Sequence, residues 1–269
     1  MPASALLLAG LAACVHALWN LLLAGASDPR GVAGAALPVG VAMLAPFAVV
    51  FWRVEPAAIP YIVASAAFEA GYFLLLTAGY ARGALTAVYP LVRGSAPVLV
   101  LGVSVAFLGA SLSAAAVVGV VAVGLGVTLI RGVRRDADAR AVGLALLCGA
   151  TVAGYTLIDK EGLKHAAPVP YLTLVLLPVA AVALFAGRRL PRSTGRLTVL
   201  AAGAGMVGAY VLTLAALRLA PAAPVAAVRE TSVLIAVLAA AALGRERIGA
   251  LRLTAAVVVT AGTAAIALG

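Results

Sequence analysis

Charged side chains are scarce in this chain of 269 residues, at 10% of the total, where a soluble domain carries about 25%. Lysine is nearly missing: Lys160 and Lys164 are the only two, so the net charge of +10 comes almost wholly from arginine. There are nine carboxylates, two histidines and two cysteines. Each shortage excludes something. No polar segment is long enough to make a soluble domain. Cys14 and Cys148 both fall inside apolar runs without metal-ligand spacing, so they read as small core residues rather than a disulfide. The phosphate-binding P-loop pattern does not occur. No loop holds a nucleophile with a base, and two histidines leave little for a metal centre. The sequence therefore predicts no cofactor and no metal. Positive charge on such a chain reads as loop charge that anchors a membrane topology, not as a nucleic-acid surface.

What fills the chain is apolar: 65% of residues are hydrophobic and the mean hydropathy is +1.17. A helix needs about 20 apolar residues to cross a bilayer. Such runs fall at about 3–24, 32–51, 60–80, 84–109, 113–130, 141–158, 170–187, 197–217, 222–243 and 250–268. Breakers separate them, among them Ser27-Asp28-Pro29, Arg53-Val54-Glu55-Pro56 and Arg82-Gly83. The first run lacks a basic leader and carries Trp19-Asn20, so it is read as helix one rather than a signal peptide. The predicted fold is an all-α integral membrane protein with about ten transmembrane helices.

One stretch conflicts with plain hydrocarbon. Tyr89-Pro90-Leu91-Val92-Arg93-Gly94-Ser95-Ala96-Pro97 lies in the middle of the fourth run. A charge at the bilayer centre costs at least about 2.5–3.5 kcal/mol, and each proline removes a backbone hydrogen bond. Such backbone persists at membrane depth only where protein or a water-filled cavity satisfies it. The stretch predicts the wall of a polar cavity.

Rare polar residues recur between the two halves. A displacement of 139 residues puts His16 on Tyr155, Asn20 on Asp159 and Pro29 on Pro168. A displacement of 136 puts Arg93 on Arg229 and Gly126 on Gly262, and one of 138 puts Tyr72 on Tyr210. Five spans per half make the second copy enter from the opposite side. The expectation is two inverted five-helix repeats, 1–133 and 134–269, around a central cavity, an architecture of secondary transporters.

The carrying segments are His16-Ala17-Leu18-Trp19-Asn20, the run from Tyr80 to Gly94, the run from Ala220-Pro221 to Arg229-Glu230-Thr231, and Leu243-Gly244-Arg245-Glu246-Arg247-Ile248. In these the chain resembles the drug/metabolite transporter superfamily, in its EamA-type ten-helix branch. The turn in the first half that matches the last segment, Leu108-Gly109-Ala110-Ser111-Leu112, has lost the Glu-Arg pair. The resemblance implies a basket of ten helices, alternating access and the movement of amino acids or other small metabolites. It also implies both termini inside the cell. Counting arginine in the connections after helices five, seven and nine instead places both termini outside.

Arg93 is the first candidate for contact with substrate, as a donor fork for a carboxylate, phosphate or phosphonate, and its counterpart Arg229 is a further one. The plain alternative is an internal ion pair with Glu69. Glu69 and Glu230 are the candidates for proton coupling, or else structural partners of Arg93 and Arg229. Arg229 and Glu230 stand about 100° apart on a helix, so the two are not expected to face one point. His16, Trp19 and Asn20 on helix one, with Tyr155 and Asp159 on helix six, are read as cavity lining or as interhelical hydrogen bonding. Tyr72, Tyr89 and Tyr210 are candidate aromatic walls, with core packing as the alternative. Glycines such as Gly119 and Gly203 speak for close helix packing.

The functional expectation is a secondary active transporter in a prokaryotic inner membrane, exporting a small polar or zwitterionic metabolite such as an amino acid. Its partners would be that solute, the lipid bilayer and protons as coupling ion, with no nucleic acid. It would act as a monomer or weak homodimer and not as an enzyme. A membrane-embedded enzyme on a lipid-linked substrate and a non-transporting sensor or assembly subunit are the competing classes.

Overall fold

The structure is a computed structural model that describes residues 1–26, 28–81, 84–131, 139–186, 195–242 and 249–268. These form α1 (Ala3–Ala24), α2 (Pro29–Val50), α3 (Ile59–Ala81), α4 (Ala84–Ala106), α5 (Ala114–Arg131), α6 (Ala139–Gly162), α7 (Pro168–Ala186), α8 (Arg196–Leu219), α9 (Ala222–Ala242) and α10 (Ala250–Leu268). A short 3-10 turn, Pro56–Ala58, leads into α3. Among the described residues there is no β-strand, only one isolated bridge. Among the described residues five stretches are long and apolar enough to cross a membrane: Ala3–Leu23, Gly31–Val50, Pro56–Leu75, Val142–Gly162 and Arg196–Leu219. The chain is thus a multi-pass helical membrane protein. Its breakers work as punctuation: Asp28 caps α2 by accepting from Gly31 N at 3.0 Å, and Pro29 opens the helix.

Helices from the two halves of the chain interleave. α1 packs on α8 and α9, α6 packs on α3 and α4, and α2 lies against α7 and α8. α5 runs along α10, and α4 touches α9. Exchanging each helix with the one five places along turns these contacts into one another: α1 on α8 becomes α6 on α3, and α5 on α10 returns itself. Glycine makes two of the crossings possible. A Cβ at Gly119 would lie 2.5 Å from Gly262 O, and one at Gly262 would lie 2.8 Å from Gly119 O. A Cβ at Gly40 would likewise lie 2.7 Å from Gly203 O. With lipid as apolar as the side chains, such close backbone approach supplies much of the packing between helices.

One end of the bundle is tied across the halves. The connection between α2 and α3 bridges to that between α6 and α7 through Val54 and Ala166. Glu55 N donates to His165 O at 2.9 Å, and Ala167 N donates to Arg53 O at 2.8 Å. The His165 ring stacks on Tyr61 with centroids 6.0 Å apart, and its Nδ1 lies 3.2 Å from Glu55 Oε2. At the same end Lys160 Nζ donates to Leu217 O at 2.5 Å and Ala220 O at 3.0 Å. The Leu217 carbonyl needs such a donor because Pro221, four residues on, has no N–H.

α6 is longer than its hydropathy predicts. Asp159-Lys160-Glu161 ends the apolar run at 158, yet the helix continues to Gly162. Lys160 finds its acceptors on α8, and Asp159 is buried and hydrogen-bonded, so the charges do not stop the helix.

Candidate functional site

The polar residues of the helix interiors gather where α1, α3, α4, α6, α8 and α9 meet. Helical spacing sets the faces. Ser65, Glu69 and Tyr72 lie at i, i+4 and i+7 on α3, and Tyr155 and Asp159 at i and i+4 on α6. Each set therefore points one way.

The cationic half is built by α4 and α9. Arg93 Nε lies 2.8 Å from Glu230 Oε2, and Arg229 Nη2 lies 3.3 Å from Glu230 Oε1. Arg93 is 4% exposed, Arg229 8% and Glu230 fully buried. Two guanidiniums thus share one carboxylate. The ion pair of Arg93 is with Glu230 rather than the Glu69 suggested by depth in the sequence. Arg229 and Glu230 also converge, against the expectation from their 100° separation. The arginine side chain is long enough to reach back around its own helix. Arg229 Nε has no hydrogen-bond partner among the described residues.

The anionic half is built by α3, α6, α7 and α8. Asp159 Oδ1 accepts from Ser65 Oγ at 2.5 Å and Tyr171 OH at 3.0 Å. The Tyr210 hydroxyl lies 2.8 Å from Asp159 Oδ2 and 2.7 Å from Glu69 Oε1. Between the halves stands an aromatic wall. The Tyr155 ring packs 6.0 Å from Tyr210 and 6.4 Å from Tyr72, with Ala96 and Val152 beside them. Tyr155 also lies within electrostatic range of Arg93, Arg229 and Glu69.

The helix-one candidates divide. His16 is within electrostatic range of both arginines and meets Trp19 edge-on at 5.0 Å. Trp19 packs on α8 at Gly205. Asn20 Nδ2 donates to His16 O at 2.7 Å, a bond within its own helix. The side chain of Tyr89 lies outside the described residues, as do Leu243 to Ile248 and the connection arginines Arg134, Arg135, Arg188, Arg189 and Arg192. Ser65 and Tyr171 were not singled out from sequence. Ser65 had a signal, standing one turn before Glu69, whereas Tyr171 at the start of α7 had none. Among the described residues no group of His, Cys, Asp or Glu is placed to hold a metal. A separate cavity of about 190 Å³ lies at the tied end, lined by Lys160, Leu163, Lys164 and Arg218.

Comparison with known proteins agrees with this architecture. The family model of the EamA-like transporter family matches residues 139–268. No curated protein is significantly similar to the sequence. Among 27 solved chains that match, a crystal structure described only as that of a protein covers 100% of this chain and 98% of its own. It superposes with a TM-score of 0.78 at 18% identity, a likeness that speaks for the fold alone.

Proposed function

We propose, from the match of residues 139–268 to the model of the EamA-like transporter family, that the chain is a membrane transporter, a secondary active carrier for a zwitterionic metabolite such as an amino acid. The observation that carries this reading is the two-signed cluster. Arg93 and Arg229 share one carboxylate, which leaves the pair with one positive charge in excess for a substrate carboxylate. Glu69 and Asp159 offer acceptors for an ammonium on the other side of the aromatic wall. Buried charges need partners of this kind, and a zwitterion supplies both signs at once. Tyr72, Tyr155 and Tyr210 would hold its carbon skeleton, with His16 beside the guanidiniums.

In this reading residues 1–133 and 134–269 are inverted repeats that rock about the cluster to give alternating access. The exchange of helix contacts between halves supports that arrangement, because a rigid movement of one half is mirrored by the other. The carrier exports its solute across an inner membrane, driven by protons bound at the buried carboxyls. A chain that holds both halves needs no second copy to complete its site, so it works as a monomer or weak homodimer.

A thermal-stability screen of the purified protein tests the substrate class, with amino acids, organic acids, phosphonates and drug-like cations as ligands. A ligand at about 100 times its Kd adds about 2.7 kcal/mol. A zwitterion should raise the Tm of wild type and not of Arg93→Ala. An equal response in both proteins would remove Arg93 from the site. Stabilisation by cations alone would overturn the zwitterion reading.

A further inference from the structure

The Tyr210 hydroxyl has more short contacts than one proton can serve. A phenol carries one hydrogen, yet its oxygen lies 2.7 Å from Glu69 Oε1 and 2.8 Å from Asp159 Oδ2. Both distances are those of charge-assisted or neutral O–H···O bonds. Were both carboxyls ionised, one contact would set two lone pairs against each other with no hydrogen between them. One carboxyl must therefore donate to the phenol oxygen.

The surroundings say which. Asp159 receives Ser65 and Tyr171 on Oδ1 and Tyr210 on Oδ2, and three donors stabilise an anion. For Glu69 the hydrogen bond among the described residues is the one shared with Tyr210. We infer that Glu69, Tyr210 and Asp159 form one proton-holding unit, with the proton on Glu69, its hydroxyl donating to Tyr210, and Tyr210 donating to Asp159. This rests on the transporter reading for its use and names the site of proton binding within it.

The charges around the unit agree. Facing it are Ser65 on α3, Tyr155 on α6, Tyr171 on α7 and Arg229 on α9, and next to Arg229 stand Glu230, which also pairs with Arg93 on α4, and His16 on α1. With Glu69 neutral, Arg93 and Arg229 are balanced by Glu230 and Asp159, and the buried cluster has no net charge. Glu230 is instead taken up by the two guanidiniums. The chain of hydrogen bonds also allows a transfer. The Glu69 proton passes to the Tyr210 oxygen as the phenolic hydrogen passes to Asp159. The phenol is regenerated, Glu69 becomes the carboxylate and Asp159 the acid.

Infrared difference spectroscopy of the protein in lipid vesicles, titrated from neutral to alkaline pH without any solute, reads the proton directly. Wild type should show the carbonyl stretch of a buried protonated carboxyl that disappears on titration. Glu69→Gln should lack that band, and Glu230→Gln should keep it. Tyr210→Phe preserves the ring and should shift the band, since the acid loses its acceptor. Should Glu69→Gln not fold, the Tyr210→Phe shift decides. A band that survives in Glu69→Gln, vanishes in Glu230→Gln or ignores Tyr210→Phe overturns the assignment. Because no solute enters the measurement, a wild type with the band but without transport would sink the proposed function and leave the proton site standing.

Discussion

At Glu230 a single fully buried carboxylate lies between the guanidiniums of Arg93 and Arg229. Removing one partner of a buried pair leaves uncompensated charge, at a cost of about 3–5 kcal/mol. Glu230→Ala should therefore lower the unfolding midpoint in detergent markedly. Adding Arg93→Leu to it should recover part of the loss by removing one of the stranded cations. If the double variant is no more stable than Glu230→Ala, the two residues do not act as a pair. Sequence showed that Arg93, Glu69, Arg229 and Glu230 were misplaced in hydrocarbon, because a charge in an apolar run is conspicuous by itself. It did not show who pairs with whom. That depends on which helices are neighbours, and runs of Ala, Leu and Val look alike on every face. Ser65 and Tyr171 illustrate the same limit: a lone hydroxyl acquires meaning only from Asp159 opposite.

The helices themselves were legible, since the ten apolar runs correspond to the ten helices of the described residues, most ends shifting by a few residues. The departures have local causes. α6 runs on through Asp159 and Lys160 because each finds partners on other helices. How elements pack is the scale at which glycine matters most. Gly119→Val in α5 would press a branched side chain onto the Gly262 carbonyl, and overpacking of this kind costs about 1–3 kcal/mol. Thermal unfolding of this variant should show the loss. Gly10→Ala, where nothing lies within 4 Å, should instead hold or raise stability by about 0.5–1 kcal/mol. Equal effects at the two positions would mean that the α5–α10 seam is not tight.

Across the whole molecule, the tied end bears on how a transporter would open. If access alternates, the bridge between Val54 and Ala166 must part during each cycle. With Cys14 and Cys148 replaced by alanine, Val54→Cys combined with Ala166→Cys should form a disulfide on oxidation that stops transport, and reduction should restore it. Transport that continues under oxidation with the bond formed would place the moving gate elsewhere. The same bridge also keeps time. Its two amides, Glu55 N–H and Ala167 N–H, are held by carbonyls across the gap between halves. If the halves part there, these two amides trade hydrogen for deuterium only while they are apart. Their isotope exchange in heavy water would then be a clock built into the unmodified backbone, one that reads the share of time for which the bridge is broken.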